Sequence, residues 1–291
     1  MNPLLDWDLL PDFAVITPAQ VAPAVDGLLA WAEAGLKEVE AGALPTWDGV
    51  MVPYERLADR LARIWGVVQH LHAVRNTPEL RAAYQAAEPR VVAFGQRLGQ
   101  SRPLYRAMTA LRDGGADLTP ARRRILDSAI RDAEEAGVGL DGAARERFTT
   151  VAQRLAGLST AFSNHVLDAT KAFTLRLTAA DEVAGLPATA LALAADAARA
   201  RGDAGATAEA GPWVITLDAP SFLPFMQHAR RRDLRERLHR AFVMRASEGD
   251  LDNRPLIAEI LALRREKANL LGRPTFAHLA LGRRLAGTPA A

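Results

Sequence analysis

Between Asp141 and Lys171 an apolar side chain returns every three or four residues: Phe148, Val151, Leu155, Leu158, Phe162 and Val166. That period places them on one narrow face of a helix. A helix over 141–171 is roughly 45 Å long at the standard rise per residue. Asp141 stands where its cap belongs. A helix of this length usually braces a large molecule.

Most of those segments carry the same period. Thr17-Pro18 opens a helix over 18–42, because Thr can satisfy the first free N–H groups and Pro needs none. A second helix is predicted from Pro53 to about Val74, with Leu57, Leu61, Ile64, Val68 and Leu71 on one side. Thr77-Pro78 opens a third, carrying Leu80, Tyr84, Val91, Phe94 and Leu98. Residues 103–112 form a shorter one, broken by Asp113-Gly114-Gly115. Thr119-Pro120 starts the next, which ends near Gly137. Beyond the long helix, an Ala-rich helix at 188–201, a helical stretch from Pro220, and helices at 231–247, 254–271 and 274–286 are expected.

The period changes twice. Phe173, Leu175 and Leu177 alternate with polar residues, and Trp213-Val214-Ile215-Thr216-Leu217 is a second β-like run. The expected fold is therefore mainly α, with a short β element near residues 172–178 and 213–217.

Composition narrows the function. A 49% hydrophobic and 24% charged chain of 291 residues is that of a globular protein with a sizeable core. No apolar run approaches the ~20 residues that span a bilayer, so no membrane partner is expected. The opening Met1-Asn2-Pro3-Leu4-Leu5-Asp6 lacks the basic start of a signal peptide, and a cytoplasmic location is expected as the simplest reading. Without cysteine, disulfide and thiolate chemistry are excluded. Lysine occurs only at Lys37, Lys171 and Lys267, so arginine lifts the pI to about 9.3 at a formal charge of only +2.

A search for chemistry returns little. None of the six histidines, His70, His72, His165, His228, His239 and His278, has a partner four residues away with an adjacent glutamate, the zinc-peptidase spacing. His70 and His72 point to nearly opposite faces of their helix, and His165 lies three residues from Asp168, within reach of a local hydrogen bond. Phosphate loops and Gly-x-Ser-x-Gly elbows are absent. The run Arg230-Arg231-Arg232 with Arg235, Arg237 and Arg240 could neutralise phosphates. Asp233 and Glu236 are interleaved and no aromatic is placed for base stacking, so a solvated, partly ion-paired face is expected. Arg122-Arg123-Arg124, with Asp127 nearby, is explained the same way. No catalytic, cofactor-binding or metal residue is assigned.

Several segments nevertheless form a familiar series. They are Asn2-Pro3-Leu4-Leu5, Leu10-Pro11-Asp12-Phe13, Val21-Ala22-Pro23-Ala24-Val25, Thr46-Trp47, the stretch from Leu71 to Tyr84, and Phe162 to Thr170. Thr216 to Pro224, Glu259 to Arg264 and Leu270-Leu271-Gly272 complete it. In this order they resemble the thimet oligopeptidase and neurolysin family of cytoplasmic zinc peptidases, along essentially the whole chain. The resemblance implies a largely helical fold whose two lobes flank a deep channel, with a short β element in the N-terminal lobe. It also implies zinc on a His-Glu-x-x-His helix of the C-terminal lobe. No such motif occurs here, so residues 1–291 are expected to be the N-terminal lobe without the catalytic one, inactive alone.

The closing Thr288-Pro289-Ala290 repeats the triplets at Thr17 and Thr119, each of which precedes a long apolar-periodic run. A further helix is expected to follow it. The complete enzyme would act on short peptides, with this chain as channel wall and size filter. One alternative is half of a split enzyme that joins a separate catalytic chain, which predicts an uncovered apolar surface on the helices from 254 to 286. Another is a stand-alone helical binding protein that uses the 230–240 arginines on an acidic partner or nucleic acid, although nucleic acid is not the partner expected of the chain.

Overall fold

Local signals for starting helices are answered almost one for one in the computed structural model, which describes residues 2–6, 10–115, 117–282 and 284–290. Thr17 precedes a 3-10 turn at Pro18–Gln20, and its N–H donates to Gln20 Oε1 (2.8 Å). Helix α1 (Val21–Gly42) follows directly. Thr77 caps α3 (Pro78–Gly99) through Leu80 N–H, and Thr119 caps α5 (Pro120–Glu135) through Arg122 N–H, both at 3.3 Å. Between them stand α2 (Val52–Val74) and α4 (Arg102–Asp113). The long helix is α6, Gly142–Ala172. Its apolar stripe is buried at Phe148, Val151 and Leu158 and half-buried at Leu155, Phe162 and Val166.

The chain divides into two compact units. The first comprises residues 1–157 and 261–291, the second 158–260.

In the first unit α1 packs against α2 and α3. Its buried residues Val21, Ala24, Val25, Leu28, Ala32 and Leu36 repeat at helical spacing. One core cluster gathers Val21 and Val25 with Trp65, Val68, Leu71, Leu80 and Tyr84. The other gathers Leu36, Val50, Met51, Phe94, Leu98, Met108 and Leu126. One element departs from expectation. A π-helical turn, Trp47–Met51, precedes α2, with Thr46 Oγ1 accepting from Gly49 N–H (3.1 Å). The wide turn places Val50 and Met51 wholly inside.

Two helix junctions of this unit are joined by one polar knot. Gln100, which is buried, donates from Nε2 to Ala136 O (2.9 Å) and accepts from Arg145 Nε (2.9 Å). Arg145 also donates to Gln100 O (3.1 Å). Next to it Arg102 binds Val138 O and Leu140 O at 3.2 and 2.9 Å and pairs with Asp141. Ser101 Oγ donates to Glu40 Oε1 (2.7 Å) at the end of α1.

The second unit holds the β element. Strands β1 (Leu175–Leu177) and β2 (Trp213–Ile215) pair antiparallel, with Leu175 opposite Ile215 and Leu177 opposite Trp213. Leu175 and Leu177 point into the core, while Arg176 points outward and binds Asp203 at 3.1 and 2.8 Å. Helix α7 (Ala188–Arg199) packs on β2 and on α8 (Ala219–His228), and α9 (Arg232–Val243) packs on α8. Phe225, Leu238, Trp213 and Val183 lie in their shared core. Gly185 is required where it stands. Its φ is +94° and a Cβ there would lie 2.3 Å from His228 O.

Two helices are shorter than their periods predict. The expected helix 231–247 stops at Val243, because Ala246 turns left-handed (φ 51°) and its carbonyl takes the Asn253 N–H (2.8 Å). After α10 (Arg254–Leu270), the helix expected over 274–286 is the six-residue α11, Phe276–Leu281. Residue 283, within that expected span, lies outside the described residues.

Candidate functional site

The histidines do not converge on a metal centre. His70 is exposed and its ring tilts against Phe13 at 5.3 Å. His72 belongs to a three-ring stack joining α2 to α3. Its ring lies 4.2 Å from Tyr84, which lies 4.8 Å from Trp65. Tyr84 Oη in turn donates to Glu88 Oε1 (3.1 Å). His72 Nε2 is out of contact with solvent and has no hydrogen-bond partner. Burial first, and then the Arg81 guanidinium, pull its pKa below the ordinary imidazole value. Asn76 fixes the same corner, donating to His72 O (3.0 Å) and accepting from Arg81 Nε (2.8 Å).

In the second unit His165 Nδ1 meets Asn253 Oδ1 at 2.9 Å, so this nitrogen carries the proton. Asn253, which is buried, also donates to Phe162 O (3.1 Å). Asn253 thereby holds the turn after α9 against α6. No local pattern marks it, because its partner His165 stands 88 residues away. His228 and His239 are exposed, and His278 Nδ1 contacts Thr275 Oγ1 (2.8 Å). Among the described residues no group of three or more His, Cys, Asp or Glu could hold a metal ion. The donor set among these residues therefore does not fit zinc.

Three of the six arginines at 230–240 are engaged through their side chains. Arg231 bridges Asp181 (2.8 Å) and Asp233 (2.9 and 2.7 Å). These partners raise the Arg231 pKa further, and Arg231 holds the Asp233 carboxyl down at about 2. Arg235 binds the carbonyls of Ala229 and Arg230, and Arg240 pairs with Glu236 (3.6 Å). Arg122 lies over the Trp47 ring at 4.9 Å.

One side of α10 is open. In the first unit Leu263 and Ala268 are buried, Glu266 takes a bidentate bond from Arg147 (2.5 and 2.8 Å), and Lys267 lies over Phe148 at 5.2 Å. The other side exposes Leu261 at 60%, with Ala262, Arg265 and Asn269. Ala262, Arg265, Glu266, Asn269 and Leu270 line a shallow, open surface along this helix. One turn earlier, in the second unit, Ile257 is exposed as well. Among the described residues no helix is long and apolar enough to cross a membrane.

Comparison with known proteins gives these features a context. The model of Neurolysin/Thimet oligopeptidase, N-terminal domain, matches residues 25–145, and that of Peptidase family M3 matches residues 225–291. The chain is 47% identical over 288 residues to the "Organellar oligopeptidase A, chloroplastic/mitochondrial" of Arabidopsis thaliana, covering 98% of this chain and 36% of the relative. It is 40% identical over 296 residues to the oligopeptidase A of Salmonella typhimurium, covering 99% and 42%. The chain belongs to the neurolysin and thimet oligopeptidase family. Within this family it spans about two fifths of the length of the curated relatives it matches. Its two matched stretches take in most of α1, the whole of α2 to α5 and the whole of α9 to α11.

Proposed function

We propose that the chain is the channel-wall and substrate-access portion of a peptide-degrading metallo-oligopeptidase, and that it has no peptidase activity by itself. The observation that carries this is the combination of near-complete coverage of the chain by oligopeptidase A relatives with the absence of any His-Glu-x-x-His in its sequence. In the complete family enzyme zinc would be held by the portion that bears that motif. This chain's contribution is architectural: stacked helices wall the channel and keep folded proteins out, while short peptides enter. We place it in the cytoplasm, in keeping with the "Probable cytosolic oligopeptidase A" of Arabidopsis thaliana, 45% identical over 287 residues.

The uncovered side of α10 favours a second form of the same function, in which a separate catalytic chain completes the enzyme. The test is direct. The purified 291-residue chain is incubated with zinc and a quenched fluorescent peptide, and bound zinc is measured in parallel. The expected result is neither turnover above a blank nor stoichiometric zinc. Chelator-sensitive cleavage by the chain alone would overturn the proposal.

A further inference from the structure

We infer that the cleft where residues 16–18 meet the end of α2 and the start of α3 binds a small zwitterion with an aliphatic side chain, the chemistry shared by a free aliphatic amino acid and a dipeptide. The cleft lies within the first unit and has a volume of about 300 Å³. Its floor is apolar. Ile16, Leu71 and Leu80 are buried members of one core cluster, and half-buried Pro18 edges it. Two exposed side chains of opposite charge stand at its rim, Arg75 just past α2 and Glu79 in the first turn of α3. Neither takes part in an ion pair among the described residues. The corner that carries them is fixed. Asn76 donates to His72 O (3.0 Å) and accepts from Arg81 Nε (2.8 Å), and Thr77 N–H donates to Arg75 O (2.7 Å). The Glu79 carboxyl accepts from its own N–H and from the Thr77 hydroxyl, which pull its pKa below the ordinary value and keep it ionised.

This arrangement selects against a ligand of single charge. An anion drawn to Arg75 is repelled by Glu79, and a cation drawn to Glu79 is repelled by Arg75. A wholly apolar ligand would take water from both charges and give nothing back. A zwitterion answers both, with its carboxylate toward Arg75, its ammonium toward Glu79 and its aliphatic group on the floor of Ile16, Leu71 and Leu80. Binding is weak, because the two charges are exposed and the ligand is small, so a Kd on the order of 1 mM is expected. Dipeptides are among the remains of peptide degradation, so on the function proposed above the cleft would register product. The binding itself does not rest on that function.

Methyl-resolved NMR of the purified 291-residue chain, labelled at Ile and Leu, tests this by titration with L-leucine and with glycyl-L-leucine, which separates the two sources. 4-Methylpentanoate, which lacks the ammonium, and 3-methylbutylamine, which lacks the carboxylate, are titrated beside them. The variants are Arg75→Gln and Glu79→Gln, and the control is Arg131→Gln at an exposed position of α5. Circular dichroism and Tm confirm that each variant is folded. The expected result is a saturable shift of the Ile16, Leu71 and Leu80 methyls with at least one zwitterion. Both variants and both single-charge analogues should bind at least about threefold more weakly, and the control should bind like wild type. No saturable shift with either zwitterion up to about 20 mM, where a site of that Kd is nearly full, would overturn the site. Equal affinity for either analogue would overturn the ligand class. Shifts confined to other methyls, or affinity unchanged in both variants, would overturn the location. Each of these failures leaves the proposed function standing, because that is read from peptide cleavage and bound zinc.

Discussion

Replacing Gln100 by Met tests how the first unit is held together. The substitution keeps an unbranched side chain of similar volume and removes two hydrogen bonds: Nε2 to Ala136 O, and Arg145 Nε to Oε1, both 2.9 Å. The neutral bond contributes about 1 kcal/mol and the one from a guanidinium about 1.5–3 kcal/mol. Ala136 and Arg145 are only half-buried, so water recovers part of that loss. The bond from Arg145 to the Gln100 carbonyl also survives. The net expectation is a loss of about 2 kcal/mol. At about 2–4 °C per kcal/mol for a unit of this size, Tm should fall by roughly 4–8 °C. Urea denaturation followed by circular dichroism gives the free energy, and calorimetry the Tm. Arg145→Met should lower stability at least as much. Variants within about 1 °C of wild type would refute the claim that this knot fastens the α3–α4 and α5–α6 junctions.

Gly185→Ala should destabilise the second unit by at least about 2 kcal/mol, because its φ is +94° and the added methyl would meet the His228 carbonyl. Trp213, buried in that unit, reports the change by fluorescence, and an unaltered midpoint would contradict the geometry. His72 predicts a pH dependence. Its folded pKa lies below the unfolded value, so its contribution is fully present above the unfolded pKa of about 6.5 and is lost as pH falls. His72→Phe, which keeps a stacking ring without the proton, should therefore lose less Tm than wild type between about pH 7.5 and about pH 5.5. An equal loss would remove His72 as the cause.

Much of the fold is legible because its signals are local. Thr-Pro pairs start helices at Pro18, Pro78 and Pro120, and the six-residue apolar stripe marks α6. The alternation around Leu175 and the apolar run at Trp213 mark β1 and β2. What was not legible depends on distant partners. The end of α9 is set by a bond between residues 246 and 253, and the turn there is pinned by Asn253 against residues 162 and 165. The Gln100 knot joins residues 36 and 45 positions apart. The π-helical turn at Trp47–Met51 precedes the helix start that Pro53 signals, and its Val50 and Met51 complete a core built from α1 to α5. An uncovered apolar surface is expected from the sequence somewhere on the helices from 254 to 286, and the structure exposes Leu261 there at 60%. Its position on α10 depends on which side of that helix Arg147 and Phe148 occupy, and sequence spacing does not carry that information.

Reconstituted activity tests the central claim most directly. The 291-residue chain, the zinc-motif portion of Escherichia coli oligopeptidase A, and their co-purified complex are assayed separately with zinc on a quenched fluorescent peptide. Chelator-sensitive cleavage is expected from the complex and none from either part. Cleavage by this chain alone, or a stable zinc-loaded complex that never cleaves, would contradict it.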